Sequence, residues 1–201
     1  SSDVCSSDLL ESAYVVNRLL EAGASLIGKT NLDQFACGLS GTRSPYGVVP
    51  NSFNPAYICG GSSSGSAYVV ATGQADFALG TDTAGSGRVP AGLNNIVGLK
   101  PSKGLLSTRG VVPAARSVDC VSIFARDVAT AWRVFLAACA EDPEDPYARA
   151  LTIERSSFPK ALRVGIPDRC EWFDDHLSEA CFRKAIDKIE ALGATVDTIN
   201  Y

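Results

Sequence analysis

Two glycine-rich stretches, Gly60-Gly61-Ser62-Ser63-Ser64-Gly65-Ser66 and Gly80-Thr81-Asp82-Thr83-Ala84-Gly85-Ser86-Gly87-Arg88-Val89-Pro90-Ala91, put Ser62 and Ser86 in separate turns 24 positions apart. Glycine tolerates positive φ and lets backbone N–H groups come close to a ligand. A serine hydroxyl attacks a carbonyl only when a base takes its proton, and acyl transfer needs donors aimed at the developing oxyanion. Two such turns supply both requirements if they meet. The intervening residues favour this, because Ser64 to Gly73 reads as a helix and Asp76 to Gly80 as a short apolar strand. That unit returns the second turn to the first. A flexible linker would not continue into Ala67-Tyr68-Val69-Val70-Ala71. A phosphate cradle would carry GxxxxGK[ST] or GxGxxG with its acidic partner, and the sequence has neither. A glycine-loop anion-binding module without catalysis is the non-enzymatic alternative.

These two blocks resemble those of the amidase signature family of serine amidohydrolases, in sequence and in spacing. Gly28-Lys29-Thr30-Asn31-Leu32-Asp33-Gln34-Phe35-Ala36 and Gly98-Leu99-Lys100-Pro101-Ser102-Lys103-Gly104 are similar to two further segments of that family. Within it, Thr42 to Gly47, Gly80 to Ala91 and Leu105 to Ala125 are most similar to allophanate hydrolases. General amidases and the tRNA-dependent amidotransferases, through their amidase subunit, are the alternatives.

The resemblance implies a Ser-cisSer-Lys mechanism for hydrolysing a small carboxamide. Ser86 is then the nucleophile, and Ser62, following a cis peptide bond, relays its proton to a lysine. The backbone N–H groups around Thr83, Ala84, Gly85 and Ser86 form the oxyanion hole. Ser63 supports Ser62, and Asp82 braces the turn. Arg88 either pairs with an anionic substrate through its two-pronged guanidinium or binds backbone carbonyls of the loop. Lys29 and Lys100 match no catalytic-lysine motif, and the base is expected upstream of the 61 residues that precede Ser62. The substrate implied is allophanate, hydrolysed to ammonia and carbon dioxide in urea degradation. A biotin-dependent urea carboxylase is then a functional partner, and no metal or organic cofactor is implied.

The totals agree with a small-molecule enzyme. Of 201 residues, 46% are apolar and 20% charged, an ordinary globular balance with room for a sizeable core. A net charge of −4 with scattered basic residues argues against a nucleic-acid surface. The absence of a long apolar run or signal-like segment argues against membrane insertion and points to a cytoplasmic protein. Seven cysteines without a CxxC pair argue against zinc or a disulfide framework. Cys59 precedes the first glycine turn, but its only histidine candidate, His176, lies in the acidic stretch Glu171 to Asp175, where a solvated loop is expected.

An α/β fold is expected, with a mixed central sheet covered by helices, cut at both ends. Residues 1–9 repeat Ser-Ser-Asp and read as a non-native leader resembling a translated sequencing adaptor. Residues 10–201 read as a partial amidase domain. Ala13, Val16 and Leu20 mark the inner face of a first helix ending at Gly23, with a strand over Ala24 to Gly28. Asp127 reads as an N-cap for a helix that turns Val128, Ala131, Trp132, Phe135 and Cys139 inward. Residues 141–160 read as a surface connection. Leu162 to Pro167 then reads as a strand, followed by a helix with Cys181, Ala185, Ile186 and Ile189 inward, stopped by Gly193 before a last strand.

Overall fold

A computed structural model describes residues 12–150 and 161–201, which divide into two compact units. The expectations for residues 1–9 and for the later part of the 141–160 connection lie outside the described residues. In the first unit, α1 (Tyr14–Glu21), α2 (Ser64–Ala71), β1 (Phe77–Thr81), α3 (Arg88–Leu93), β2 (Val97–Leu99), β3 (Val121–Ala125) and α4 (Val128–Ala138) follow in order. The second holds β4 (Arg163–Pro167), α5 (His176–Ala191) and β5 (Thr195–Ile199). The chain is thus α/β, with antiparallel pairing in one sheet and parallel pairing in the other.

Strand β3 is the axis of the first unit. It runs antiparallel to both neighbours in the order β1-β3-β2, and all five of its residues are buried. Side chains alternate across a strand, so its two faces feed two cores. Val121 and Ile123 join Val15, Leu19, Leu106, Val134, Phe135 and Ala138, which brings α1 and α4 onto one face. Phe124 joins Ala67, Val70 and Ala91, which brings α2 and α3 onto the other. The two serine-bearing turns lie at the starts of α2 and α3, so this second layer positions the site.

That layer approaches closely because three positions lack bulk. A Cβ on Gly80 would lie 2.5 Å from Ser63 Oγ and 2.8 Å from Phe124 Cε2. One on Gly87 would lie 2.6 Å from Ser122 Cβ, and one on Gly98 2.6 Å from Ala91 Cβ. Gly80 stands opposite Ser122 in the β1–β3 register, so both turns lie on the smallest patch of the sheet.

Helix faces differ from the sequence expectation by about one position. In α1 the buried pair is Val15 and Leu19, while Leu20 is exposed. In α4 the buried residues are Ala131, Val134, Phe135 and Ala138. Val128 and Trp132 remain exposed, the indole stacking on Phe135 at 5.2 Å. Asp127 caps α4 by accepting from Thr130 N–H at 2.7 Å. Residues 24–28 form no strand, and Leu26 and Ile27 are exposed. An apolar run becomes a strand only with a ladder partner, and none pairs with it among the described residues.

In the second unit β4 and β5 pair in parallel, with Arg163 opposite Thr195. Phe182, Ile186 and Ile189 are the half-buried apolar residues of α5, whereas Cys181 and Ala185 are exposed. His176 is the first residue of that helix rather than part of a loop, because Asp175 caps it by accepting from Ser178 N–H at 2.9 Å. Gly193, at φ +90°, ends the helix with its N–H on Glu190 C=O.

The glycines give a graded test. Gly80→Ala forces a methyl group against Ser63 and Phe124 and should cost about 1–3 kcal/mol by urea denaturation. Gly92→Ala, in α3 with nothing within 4 Å of the added carbon, should be neutral or stabilise by up to about 1 kcal/mol. Equal effects at both positions would mean that close packing of the second layer on the sheet is not what Gly80 serves.

Candidate active site

The first turn contains a cis peptide bond between Gly61 and Ser62. Its backbone is held on three sides. Gly60 N–H donates to Ser40 C=O at 3.1 Å, Gly61 N–H donates to Leu39 C=O at 2.8 Å, and Ser62 C=O accepts from Asp33 N–H at 2.9 Å. Ser62 is fully buried, and its hydroxyl has no partner among the described residues; Ser64 and Ser122 share that condition.

The second turn is organised around Asp82, whose side chain is fully buried at the end of β1. Its Oδ1 accepts from Gly85 N–H at 2.7 Å, and its Oδ2 from the N–H groups of Gly87 at 3.1 Å and Arg88 at 3.0 Å. The Arg88 guanidinium closes over the same carboxylate, with Nε 2.9 Å from Oδ2 and Nη2 3.0 Å from Oδ1. Burial alone would push this carboxyl upward, yet the Arg88 fork and the converging N–H groups hold it below the usual carboxylate range.

Two contacts join the turns. Ser63 N–H donates to Ser86 C=O at 3.3 Å, so the residue after Ser62 touches the candidate nucleophile's own carbonyl. Ser63 Oγ both donates to Thr81 C=O and accepts from Thr81 N–H, each at 3.2 Å, which fastens the first turn to the end of β1. Ser86 is buried but retains 5% exposure.

The donor set differs from the sequence expectation at Gly85. Its N–H points to Asp82 and is not free for an oxyanion. Among the described residues the N–H groups of Thr83, Ala84 and Ser86 have no acceptor, so these three are the available donors. Arg88 differs as well. The two-pronged face assigned to a substrate anion or to backbone carbonyls is engaged by Asp82, because a buried carboxylate demands the nearest cation.

Asp119 carries no role in the sequence reading. It accepts from Thr83 Oγ1 at 2.6 Å and from the N–H groups of Ala114 and Ala115, tying the second turn to the segment that enters β3. An aspartate immediately before an apolar strand was the only signal. Cys59 is buried, its thiol on Ser64 C=O and beside the Asn94 amide; burial pushes it up, away from thiolate chemistry. Lys100 reaches Pro101 C=O, Lys29 lines a surface pocket with Thr30, Asn31 and Tyr46, and neither bonds Ser62.

Residues 8–201 match the family model described as Amidase. The chain belongs to the amidase family. It is 49% identical over 189 residues to the urea amidolyase of Saccharomyces cerevisiae, covering 93% of this chain and 10% of that protein. The solved Kluyveromyces lactis allophanate hydrolase superposes with a TM-score of 0.93 at 49% identity, over 96% of this chain and 32% of that one. The amidase-type subunit of the Thermotoga maritima glutamyl-tRNA(Gln) amidotransferase gives 0.86 at 31% identity, over 95% and 43%. The chain therefore spans between a tenth and under half of these relatives.

Asp82 makes stability pH-dependent with a defined sign. Its folded-state pKa is depressed, so its contribution is complete above the unfolded value near 3.9 and is lost as pH falls through the folded one. Asp82→Asn should cost about 1–3 kcal/mol near neutral pH and flatten the fall of Tm below about pH 4. An acid limb as steep as wild type would show that this carboxylate is not held ionised.

Proposed function

We propose that this chain carries the nucleophile and proton-relay portion of an amidohydrolase site. The supporting observation is the backbone bond between Ser63 and Ser86, which brings two hydroxyl-bearing turns to one place on the sheet. Ser86 Oγ attacks the carboxamide carbon and gives its proton to Ser62 Oγ. Ser62 passes its own proton to a neutral lysine outside these 201 residues. Lysine has an ordinary pKa near 10.4, so that base requires burial to stay neutral.

As the carbonyl becomes tetrahedral, the N–H groups of Thr83, Ala84 and Ser86 face its oxygen; each such donor is typically worth about 3–4 kcal/mol. Collapse breaks the C–N bond, the lysine proton returns to nitrogen through Ser62, and ammonia leaves. Water then cleaves the acyl-serine by the reverse proton path.

Allophanate is the substrate best supported, from the 49% identity to proteins named urea amidolyase and allophanate hydrolase. A biotin-dependent carboxylase that makes allophanate from urea is the matching source. With Arg88 facing Asp82, the substrate carboxylate is recognised by groups other than that fork.

In the full-length protein, ammonia release from allophanate should exceed that from a neutral amide or glutamine. Ser86→Ala should reduce kcat by at least about 10³-fold, and Ser62→Ala by about 10²-fold or more. Undiminished turnover in Ser86→Ala would overturn the mechanism. Ammonia release from glutamine in preference to allophanate would move the chain to the amidotransferase reading.

A further inference from the structure

Asp33 lies outside every role described so far, yet it is a fully buried carboxylate with no cation paired to it among the described residues. Its partners are backbone N–H groups: Oδ2 accepts from Gly41 at 3.0 Å and Oδ1 from Arg43 at 2.8 Å. The loop pinned this way carries the Leu39 and Ser40 carbonyls, which are the acceptors for Gly61 and Gly60 N–H. Asp33 also uses its own N–H on Ser62 C=O. All three of these holds on the backbone from Gly60 to Ser62 therefore pass through Asp33, either directly or through the loop that its carboxylate fixes.

The packing has the same focus. A Cβ on Gly38 would come within 2.6 Å of Asp33 Oδ2, and one on Gly61 would collide with the same oxygen. A Cβ on Gly41 would lie 2.6 Å from the Gly60 carbonyl oxygen. Glycines 38, 41 and 61 thus leave the space in which one carboxylate, one loop and the serine turn interlock.

We propose that Asp33 is the positioning residue for the Ser62 hydroxyl, setting the direction in which that turn presents its Oγ to Ser86. The assignment rests on the reading of Ser62 as proton relay. Asp33 touches neither substrate nor the reacting atoms. It acts by supplying, in one rigid group, acceptors for a loop that would otherwise leave two buried N–H groups unpaired.

A double-mutant cycle in the full-length protein tests this. Asp33→Asn keeps the shape but faces an amide N–H₂ against one of the two backbone donors. It should lower kcat for amide hydrolysis about 10- to 100-fold with KM within about 3-fold, the pattern of a displaced catalytic group. In the Ser62→Ala background the same change should lower kcat less than about 2-fold, since the group being aimed is already gone.

An equal loss in both backgrounds would overturn the positioning role and leave Asp33 a general structural residue. Wild-type kcat in Asp33→Asn would overturn it too. If Ser62→Ala alone kept full activity, the relay reading itself would fall, and this proposal with it. Asp33→Ser, which retains one acceptor, enters the same cycle if Asp33→Asn does not accumulate as folded protein.

Discussion

A buried carboxylate accepting several backbone N–H groups is the interaction on which this architecture depends, and Asp82 is its clearest instance. A tight turn rich in glycine points successive amides inward, where neither helix nor strand can use them, and an unpaired buried amide is costly. Asp82 answers three of them and adds Arg88, which neutralises its charge. What remains of the turn follows by subtraction. Gly85 is committed to the carboxylate, while Thr83, Ala84 and Ser86 keep donors available. The residue that shapes the turn thus also decides which amides can meet an oxyanion.

The same device recurs around the site. Asp33 pins the loop behind the first turn, and Asp119 collects Thr83 with the amides of residues 114 and 115. Asp142 and Asp145 are buried although their stretch reads as surface. They bind Ser107, Thr108 and Arg109, drawing the chain after α4 back onto the segment between β2 and β3. For both, burial raises the carboxyl while hydrogen bonds outweigh it and lower it, so both lose their contribution in acid with the same sign as Asp82. Five buried aspartates thus act as connectors between loops, and the sheet beneath them stays apolar on one face and small-residue on the other.

Much of this was legible in the sequence because it is local. Glycine spacing, the Asp127 cap and the apolar lead-in to β1 depend on neighbours within a few positions, and the helices and turns appear where those signals lie. Which face of a helix is buried is a tertiary choice. In α4 the partner is β3, and that packing selects Val134 and Ala138 over Val128 and Trp132. The role of Arg88 was illegible for a related reason. Guanidinium reach is long, and only the folded turn shows that an aspartate six positions earlier meets both of its nitrogens. Asp33 is clearer still: the Gly41 and Arg43 amides are close in sequence, but the serine turn they support lies well beyond them along the chain.

The central claim is that these carboxylate-held turns bring Ser62 Oγ to Ser86 Oγ. A crystal structure of the full-length protein, phosphonylated at its reactive serine, measures that approach directly. The account predicts phosphorus on Ser86 and Ser62 Oγ within about 2.6–3.2 Å of the modified oxygen, the range in which a proton can pass. Phosphorus on another side chain, or the two oxygens separated by more than about 5 Å with no bridging water, would contradict it.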